Sequence, residues 1–278
     1  MKKICVLAIL LCFIPLQSVD FDSSMETPKG AYLKPIEYAK VWRYIYNRNI
    51  KLLGSLNSTK TPRIPKIIHQ IWLGGNLPSQ YHALCETWQK NHPDWLYKLW
   101  TDADIESFGM VNKKLFNMSK NYGYQSDLLR YEILYRFGGV YVDIDFESIR
   151  ALDELHDAYS LYSCLIPGGA YLANGVIGVE PKHPVMEQCI LQARSPRSDR
   201  DYEDIMTASG PYLFSRCLFN FAILQDQSIM ILPSSFFFPF PSNMRYQLRA
   251  SSITREKARS FAKPETYAVH YWANSWQK

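Results

Sequence analysis

Two aspartates one residue apart, Asp143 and Asp145, close the apolar run Val140-Tyr141-Val142. In extended chain, residues two apart project to the same side, so this spacing predicts that both carboxylates converge on one point. Like charges held that close repel unless something cationic lies between them. The pattern therefore predicts a divalent-metal site at the end of a core strand; a purely structural ion pair is the alternative. Upstream, Asp127 and Arg130 are one helical turn apart and so neighbours. Both interrupt an otherwise oily segment, where an unpaired charge is costly. They form a second polar cluster beside the first.

Asp-x-Asp alone carries little information, because the chain holds four such pairs: Asp20/Asp22, Asp102/Asp104, Asp143/Asp145 and Asp199/Asp201. Three lie in polar, turn-like surroundings that predict solvated or helix-capping roles. Thr101-Asp-Ala-Asp104 in particular reads as a helix cap, its side-chain oxygens meeting free backbone N–H groups. Only Asp143/Asp145 follows an apolar strand.

The elements that must position these groups follow from periodicity. Leu128, Leu129, Ile133, Leu134 and Phe137 recur at three- and four-residue steps, which predicts a helix stopped by Gly138-Gly139. Val140 to Ile144 then reads as a short buried strand. Pro62 to Gly75 opens the body with a first core strand built on Ile64, Ile67, Ile68, Ile71 and Trp72. A helix over Gln80–Asn91 and a strand over Tyr97–Trp100 come next. After the central block, Ser148–Asp157 reads as a helical connection. Further strands are expected over Tyr159–Ile166, Tyr171–Val179 and Ile229–Leu232, with a helix over Pro184–Arg194. Such alternation predicts an α/β fold with a mixed, mainly parallel sheet flanked by helices. Ligands of such sheets bind at the carboxyl ends of the strands, which turns Trp72 toward the site. A core tryptophan is the other reading for Trp72, and a satisfied core histidine is the expectation for His69.

Ile-Pro-Lys-Ile-Ile-His-Gln-Ile-Trp at 64–72, Gln-Ser-Asp-Leu-Leu-Arg-Tyr at 125–131 and Gly-Gly-Val-Tyr-Val-Asp-Ile-Asp at 138–145 occur together and in order. In this the chain resembles the DXD glycosyltransferases of family 32. That family includes fungal alpha-mannosyltransferases and inositol-phosphoceramide mannosyltransferases and, more distantly, the glucosylating clostridial cytotoxins. The likeness spans roughly residues 62 to 276.

The resemblance implies a GT-A-type nucleotide-diphospho-sugar transferase, dependent on Mn²⁺ or Mg²⁺ and retaining the anomeric configuration. It implies Asp143 and Asp145 as metal ligands, with Asp127 and Arg130 contacting the donor. Trp72 would stack on the donor base, Tyr141 would lie against the nucleoside and Asn174 would approach the donor sugar. The tail Tyr267-Ala-Val-His270-Tyr-Trp272-Ala-Asn-Ser275-Trp276 is similar to the family's closing His…Ser-Trp segment. It implies His270 at the metal or a phosphate, and Ser275 and Trp276 on the diphosphate; a core histidine is the alternative for His270. The donor expected is GDP-mannose or a UDP-hexose, and the acceptor a glycan, glycolipid or protein. A toxin-like exported effector, a catalytically silent nucleotide-sugar-binding domain and a metal-dependent phosphohydrolase are the competing readings.

Composition sets outer limits. The 278 residues are 47% hydrophobic and 21% charged, an ordinary globular balance. A net charge of +5 without a dense Lys/Arg block gives no footprint for nucleic acid. Met1-Lys-Lys followed by an apolar run from Ile4 to Leu16 reads as a signal peptide or short signal-anchor over residues 1–18. The expectation is therefore export: secreted or periplasmic in a bacterium, Golgi or lumenal with membrane association through the amino terminus in a eukaryote. Residues 19–60 read as a stem and lead-in helix, and 61–278 as the catalytic domain. Cys85, Cys164, Cys189 and Cys217 lack metal-binding spacing. One or two disulfides, or buried free thiols, are both compatible with them.

Overall fold

A computed structural model describes residues 19–25, 36–53, 62–168, 171–222, 228–249 and 254–273. Residues 1–18, where a signal peptide or signal-anchor is expected, and the Ser275-Trp276 pair lie outside the described residues. Among the described residues, no helix is long and apolar enough to cross a membrane.

The chain runs α1 (Ile36–Asn49), β1 (Ile67–Ile71), α2 (Ser79–Asn91), β2 (Leu96–Trp100), α3 (Asp102–Phe108), α4 (Lys113–Met118), α5 (Tyr122–Phe137) and β3 (Gly139–Val142). It continues through β4 (Phe146–Ser148), α6 (Asp153–Ala158), β5 (Leu161–Leu165), β6 (Leu172–Val179), α7 (Pro184–Gln192), α8 (Tyr202–Ala208) and α9 (Pro211–Ala222). Strand β7 (Ile229–Leu232), the short helices α10 (Arg245–Arg249) and α11 (Arg255–Arg259), and β8 (Ala268–His270) complete the described order.

Six strands form one sheet in the order β2-β1-β3-β6-β5-β7. β1 pairs in parallel with both β2 and β3, and β5 with β7, whereas β6 runs antiparallel between β3 and β5. This is the mixed, mainly parallel, helix-flanked sheet expected. β3 sits inside it with all four residues buried, as a strand covered on both faces must be.

Helix α5 ends where the sequence indicated. Gly138 takes φ +63 as its C-cap, and a Cβ there would lie 2.7 Å from Pro181, so the helix-to-strand corner requires glycine. The helix carries Asp127, Arg130 and Glu132 buried among its apolar residues. Glu132 is satisfied by the backbone N–H groups of Val111 and Asn112, at 2.7 and 2.8 Å. Asp127 and Arg130 belong to the site.

The lead-in helix α1 is part of the body. Trp42, Ile45 and Tyr46 are buried in the main core, and Asn49 Nδ2 donates to the carbonyl of Ile229 in β7. The core therefore extends amino-terminally of residue 61. Two short elements depart from the sequence reading. Phe146–Ser148 is a strand, β4, which pairs antiparallel with β8; helix α6 starts only at Asp153. The four cysteines described are buried free thiols.

Candidate active site

The acidic pair does not lie on extended chain. β3 ends at Val142, and the N–H of Phe146 donates to the carbonyl of Asp143 at 3.2 Å, closing a tight turn over 143–146. The carboxylates still converge, because β8 returns opposite β4 with His270 in register with Phe146. One ligand atom from each of Asp143, Asp145 and His270 lies within 4.8 Å of the others. Two carboxylate oxygens and an imidazole nitrogen suit Mn²⁺ or Mg²⁺, with carboxylates setting the preference for a hard ion.

Each carboxylate is held from several sides. Asp145 is 6% exposed. Its Oδ1 lies 3.0 Å from His270 Nε2, its Oδ2 accepts from the N–H of Ala273 at 2.7 Å, and its carbonyl accepts from Tyr271. Burial opposes ionisation, yet the imidazole and the backbone donor hold this carboxyl below its ordinary value. Asp143 is more open. Its Oδ1 accepts from the Tyr141 phenol at 2.7 Å and lies 3.3 Å from Arg130. Its backbone is fixed by two neighbours: its N–H donates to Gly175 and its carbonyl accepts from Gln70 Nε2 at 3.2 Å.

Arg130 occupies the centre of the second cluster, and the chain buries it almost completely. Its guanidinium lies 3.2 Å from Asp127 Oδ1, donates to the carbonyl of Asn174 at 2.5 Å and rides 4.2 Å above the Tyr141 ring. Burial alone would lower its pKa, but Tyr141, Asp143 and Asp127 around it raise it above the ordinary value. Asp127 accepts from Asn174 Nδ2 at 2.8 Å and from the Ser209 hydroxyl at 2.9 Å. Burial pushes its carboxyl up to about 6, against the pull of Arg130 and of those two donors. Three carboxylates, Asp127, Asp143 and Asp145, share the cleft with one guanidinium, which reaches the first two. When all three are ionised, two negative charges remain, which is the charge a divalent cation balances.

These groups line a single cleft of about 450 Å³. Asp127, Arg130, Asp143, Asp145, Asn174 and His270 all reach it, and Trp72 forms part of its wall. Trp72 is half-buried rather than in the core, its indole N–H donating to the carbonyl of Asn76 and its ring 5.4 Å from Tyr81. Tyr141 also lines the cleft. At 2% exposure, with Arg130 over its ring and its phenol on Asp143, it braces the acidic turn.

His69 is the core histidine expected: it bridges the carbonyl of Gly138 and the Trp100 indole, and burial lowers its pKa to about 4. The three other Asp-x-Asp pairs combine a local tie with a longer one. Asp104 completes a capping box with Thr101, Asp201 caps α8 and Asp20 accepts from the N–H of Ser23. Asp102 accepts from the N–H of Gly74, Asp199 from the Ser119 hydroxyl, and Asp22 pairs with Arg43. Gln70 and Ser209 were not singled out from the sequence. Gln70 is a fully buried amide in a core strand, a composition-level oddity that marks such a position. Ser209 offered no comparable signal.

Residues 78–162 match the family model described as a glycosyltransferase sugar-binding region containing a DXD motif. The chain is 30% identical over 183 residues to inositol phosphoceramide mannosyltransferase 1 of Schizosaccharomyces pombe, covering 62% of this chain and 56% of that protein. It is 32% identical over 158 residues to mannosyl phosphorylinositol ceramide synthase CSH1 of Saccharomyces cerevisiae, covering 55% and 42% respectively. The chain thus spans about half the length of the curated relatives it matches. Among solved structures it is similar to the PaToxG glycosyltransferase, with a TM-score of 0.44 and 18% identity over 66% of this chain and 79% of that one.

Proposed function

From a chain that carries the DXD-containing sugar-binding region of glycosyltransferases, we propose a metal-dependent, retaining hexosyltransferase acting on a nucleotide-sugar donor. The observation that carries this reading is the convergence of Asp143, Asp145 and His270 on one cleft, beside a buried Asp127–Arg130–Asn174 wall. Mannose is the sugar favoured, and a glycan or glycolipid the acceptor, because the relatives are named as mannosyltransferases of an inositol phosphoceramide. GDP-mannose is then the first donor to test, with UDP-hexoses next. The basic-then-apolar start of the chain supports a place in the secretory route or outside the cell.

The geometry supports the following roles. Asp143 and Asp145, with His270, would hold the cation, Mn²⁺ or Mg²⁺. When bound there, the cation would supply positive charge to a departing diphosphate. The Asp127 carboxylate and the Asn174 amide are polar groups on the cleft wall, suited to fixing sugar hydroxyls in place. Arg130 keeps Asp127 and Asp143 at a set separation and supplies positive charge under the donor. Trp72, at the carboxyl end of β1, offers a ring to the base. Loss of the leaving group gives the anomeric carbon oxocarbenium character. For a retaining outcome no general base is assigned among these residues.

A thermal-shift series of nucleotide-sugars, each with and without Mn²⁺, tests the proposal. The expected result is Mn²⁺-dependent stabilisation by one nucleotide class, followed by sugar transfer or slow donor hydrolysis in that pairing. Stabilisation by a nucleotide-sugar with no turnover across a broad acceptor panel would leave a silent binding domain instead. Cleavage of simple phosphate esters without any sugar would indicate a phosphohydrolase.

A further inference from the structure

Trp272, immediately after β8, takes a left-handed backbone conformation with φ +54. A bulky L-residue adopts that region only when its surroundings impose it. The impositions are visible. The indole N–H donates to the carbonyl of Phe240 at 2.9 Å. The ring lies 5.3 Å from Phe238 and edge-on to His270 at 4.5 Å. Anchored in this way, the indole sets the direction of the next peptide. The N–H of Ala273 then points at Asp145 Oδ2, 2.7 Å away.

The 270–273 segment holds Asp145 at three places: His270 Nε2 on Oδ1, the Tyr271 N–H on its carbonyl and the Ala273 N–H on Oδ2. His270 Nδ1 has no hydrogen-bond partner among the described residues, so the ring's polar tie runs to Asp145 and its other contacts are aromatic. Asp143, by contrast, is braced from β1, β6 and α5, with no tie from the 270–273 segment. The two carboxylates are therefore positioned by independent parts of the chain.

We propose that Trp272 is a positioning residue: its indole anchor enforces a left-handed turn that latches the 270–273 segment onto Asp145 and sets that carboxylate's place relative to Asp143. The latch is a property of the chain itself; its consequence for cation binding rests on the metal-site reading above. A residue that merely filled space would leave the Ala273 amide unaffected by backbone preference at position 272. With the indole anchor removed, that preference sets what is left of the turn: glycine can still visit positive φ but is not held there, and β-branched residues avoid it.

The test uses Trp272→Phe, Trp272→Gly and Trp272→Val in the full chain, with two readouts. The first is the proton chemical shift of the Ala273 amide without metal, which reports the hydrogen bond to a carboxylate. The second is Mn²⁺ affinity by electron paramagnetic resonance titration. The latch predicts a strongly downfield amide in wild type, partly kept in Trp272→Phe, which retains the ring contacts but not the N–H donor, weaker still in Trp272→Gly and lost in Trp272→Val. It predicts Mn²⁺ affinity falling in the same order, by about tenfold or more for valine, the size expected when a group supporting a metal ligand is removed. If Trp272→Val does not fold, Trp272→Gly decides. An amide shift and a Mn²⁺ affinity both equal to wild type in the glycine variant would overturn the latch, as would a valine variant indistinguishable from phenylalanine. Wild-type protein that binds no Mn²⁺ would defeat the metal reading, while the amide shifts would still judge the latch.

Discussion

Gly175 and Asp143 approach so closely that a Cβ on the glycine would stand 2.5 Å from Oδ2 of the aspartate. The same glycine's carbonyl takes the Asp143 N–H at 2.9 Å. β6 thus grips the backbone of the acidic turn and vacates the space its carboxylate occupies. Gly175→Ala should push the Asp143 carboxylate out of place at a stability cost of about 1–3 kcal/mol, the usual range for overpacking. Mn²⁺ affinity and donor turnover should fall far more than the melting point indicates. A variant that keeps full Mn²⁺ affinity would show that Asp143 does not need the vacated space.

Asp145→Asn preserves shape and keeps an oxygen for the Ala273 N–H, but removes the charge. Mn²⁺-dependent transfer and donor hydrolysis should fall by about 10² or more, the scale seen when a group stabilising developing charge is removed. The melting point should stay within a few degrees. Parallel activity assays and thermal melts check both halves, and undiminished turnover would remove Asp145 from the proposed chemistry.

Arg130 is a different case, because its partners are buried. Removing it leaves Asp127 without its cation and strips the same support from Asp143. Arg130→Ala should destabilise by about 3–5 kcal/mol, the range for breaking a buried pair from one side. Adding Asp127→Asn should recover part of that loss, because the stranded charge is gone. Urea denaturation of both singles and the double gives the coupling energy. Strictly additive losses would mean that the pair is not energetically linked.

How much of this the sequence disclosed depends on range. The α5–Gly138-Gly139–β3 unit was legible because its helix period, glycine stop and apolar strand are all local signals. The context that separated Asp143/Asp145 from three other Asp-x-Asp pairs was local too. The turn at 143–146 was not legible. Nothing in Asp-Ile-Asp-Phe-Glu distinguishes a strand that continues from one that bends, and β4 exists only because β8 arrives from more than a hundred residues away. The closeness of Asp145 and His270 is a product of that pairing, so only the family resemblance could anticipate it. Helix α8 had a usable sign, Asp201 three residues before Asp204, since the Asp201 side chain accepts from the Asp204 N–H at 3.0 Å. The roles of Gln70 and Ser209 were hidden because each depends on which elements pack together, and that of the Tyr141 phenol because it depends on the turn at 143–146.

Asp127 supplies a pH signature whose sign can be worked out in advance. Its carboxyl is raised by burial to about 6 in the folded chain, above its unfolded value near 3.8. Between those two values the folded state binds more protons than the unfolded one, so this group's stabilising contribution is full below about pH 4 and is lost as pH rises through about 6. A carboxyl raised that far corresponds to roughly 2–3 kcal/mol. Asp127→Asn cannot titrate and lacks this contribution. The wild-type stability minus that of the variant, from urea denaturation at pH 4.5 and pH 7.5, should therefore be larger at the acid end by most of that amount. The subtraction cancels the carboxylates common to both proteins, including Asp145, whose lowered value acts in the opposite direction. A difference that grows toward alkaline pH would mean that Arg130, Ser209 and Asn174 outweigh the burial of this side chain.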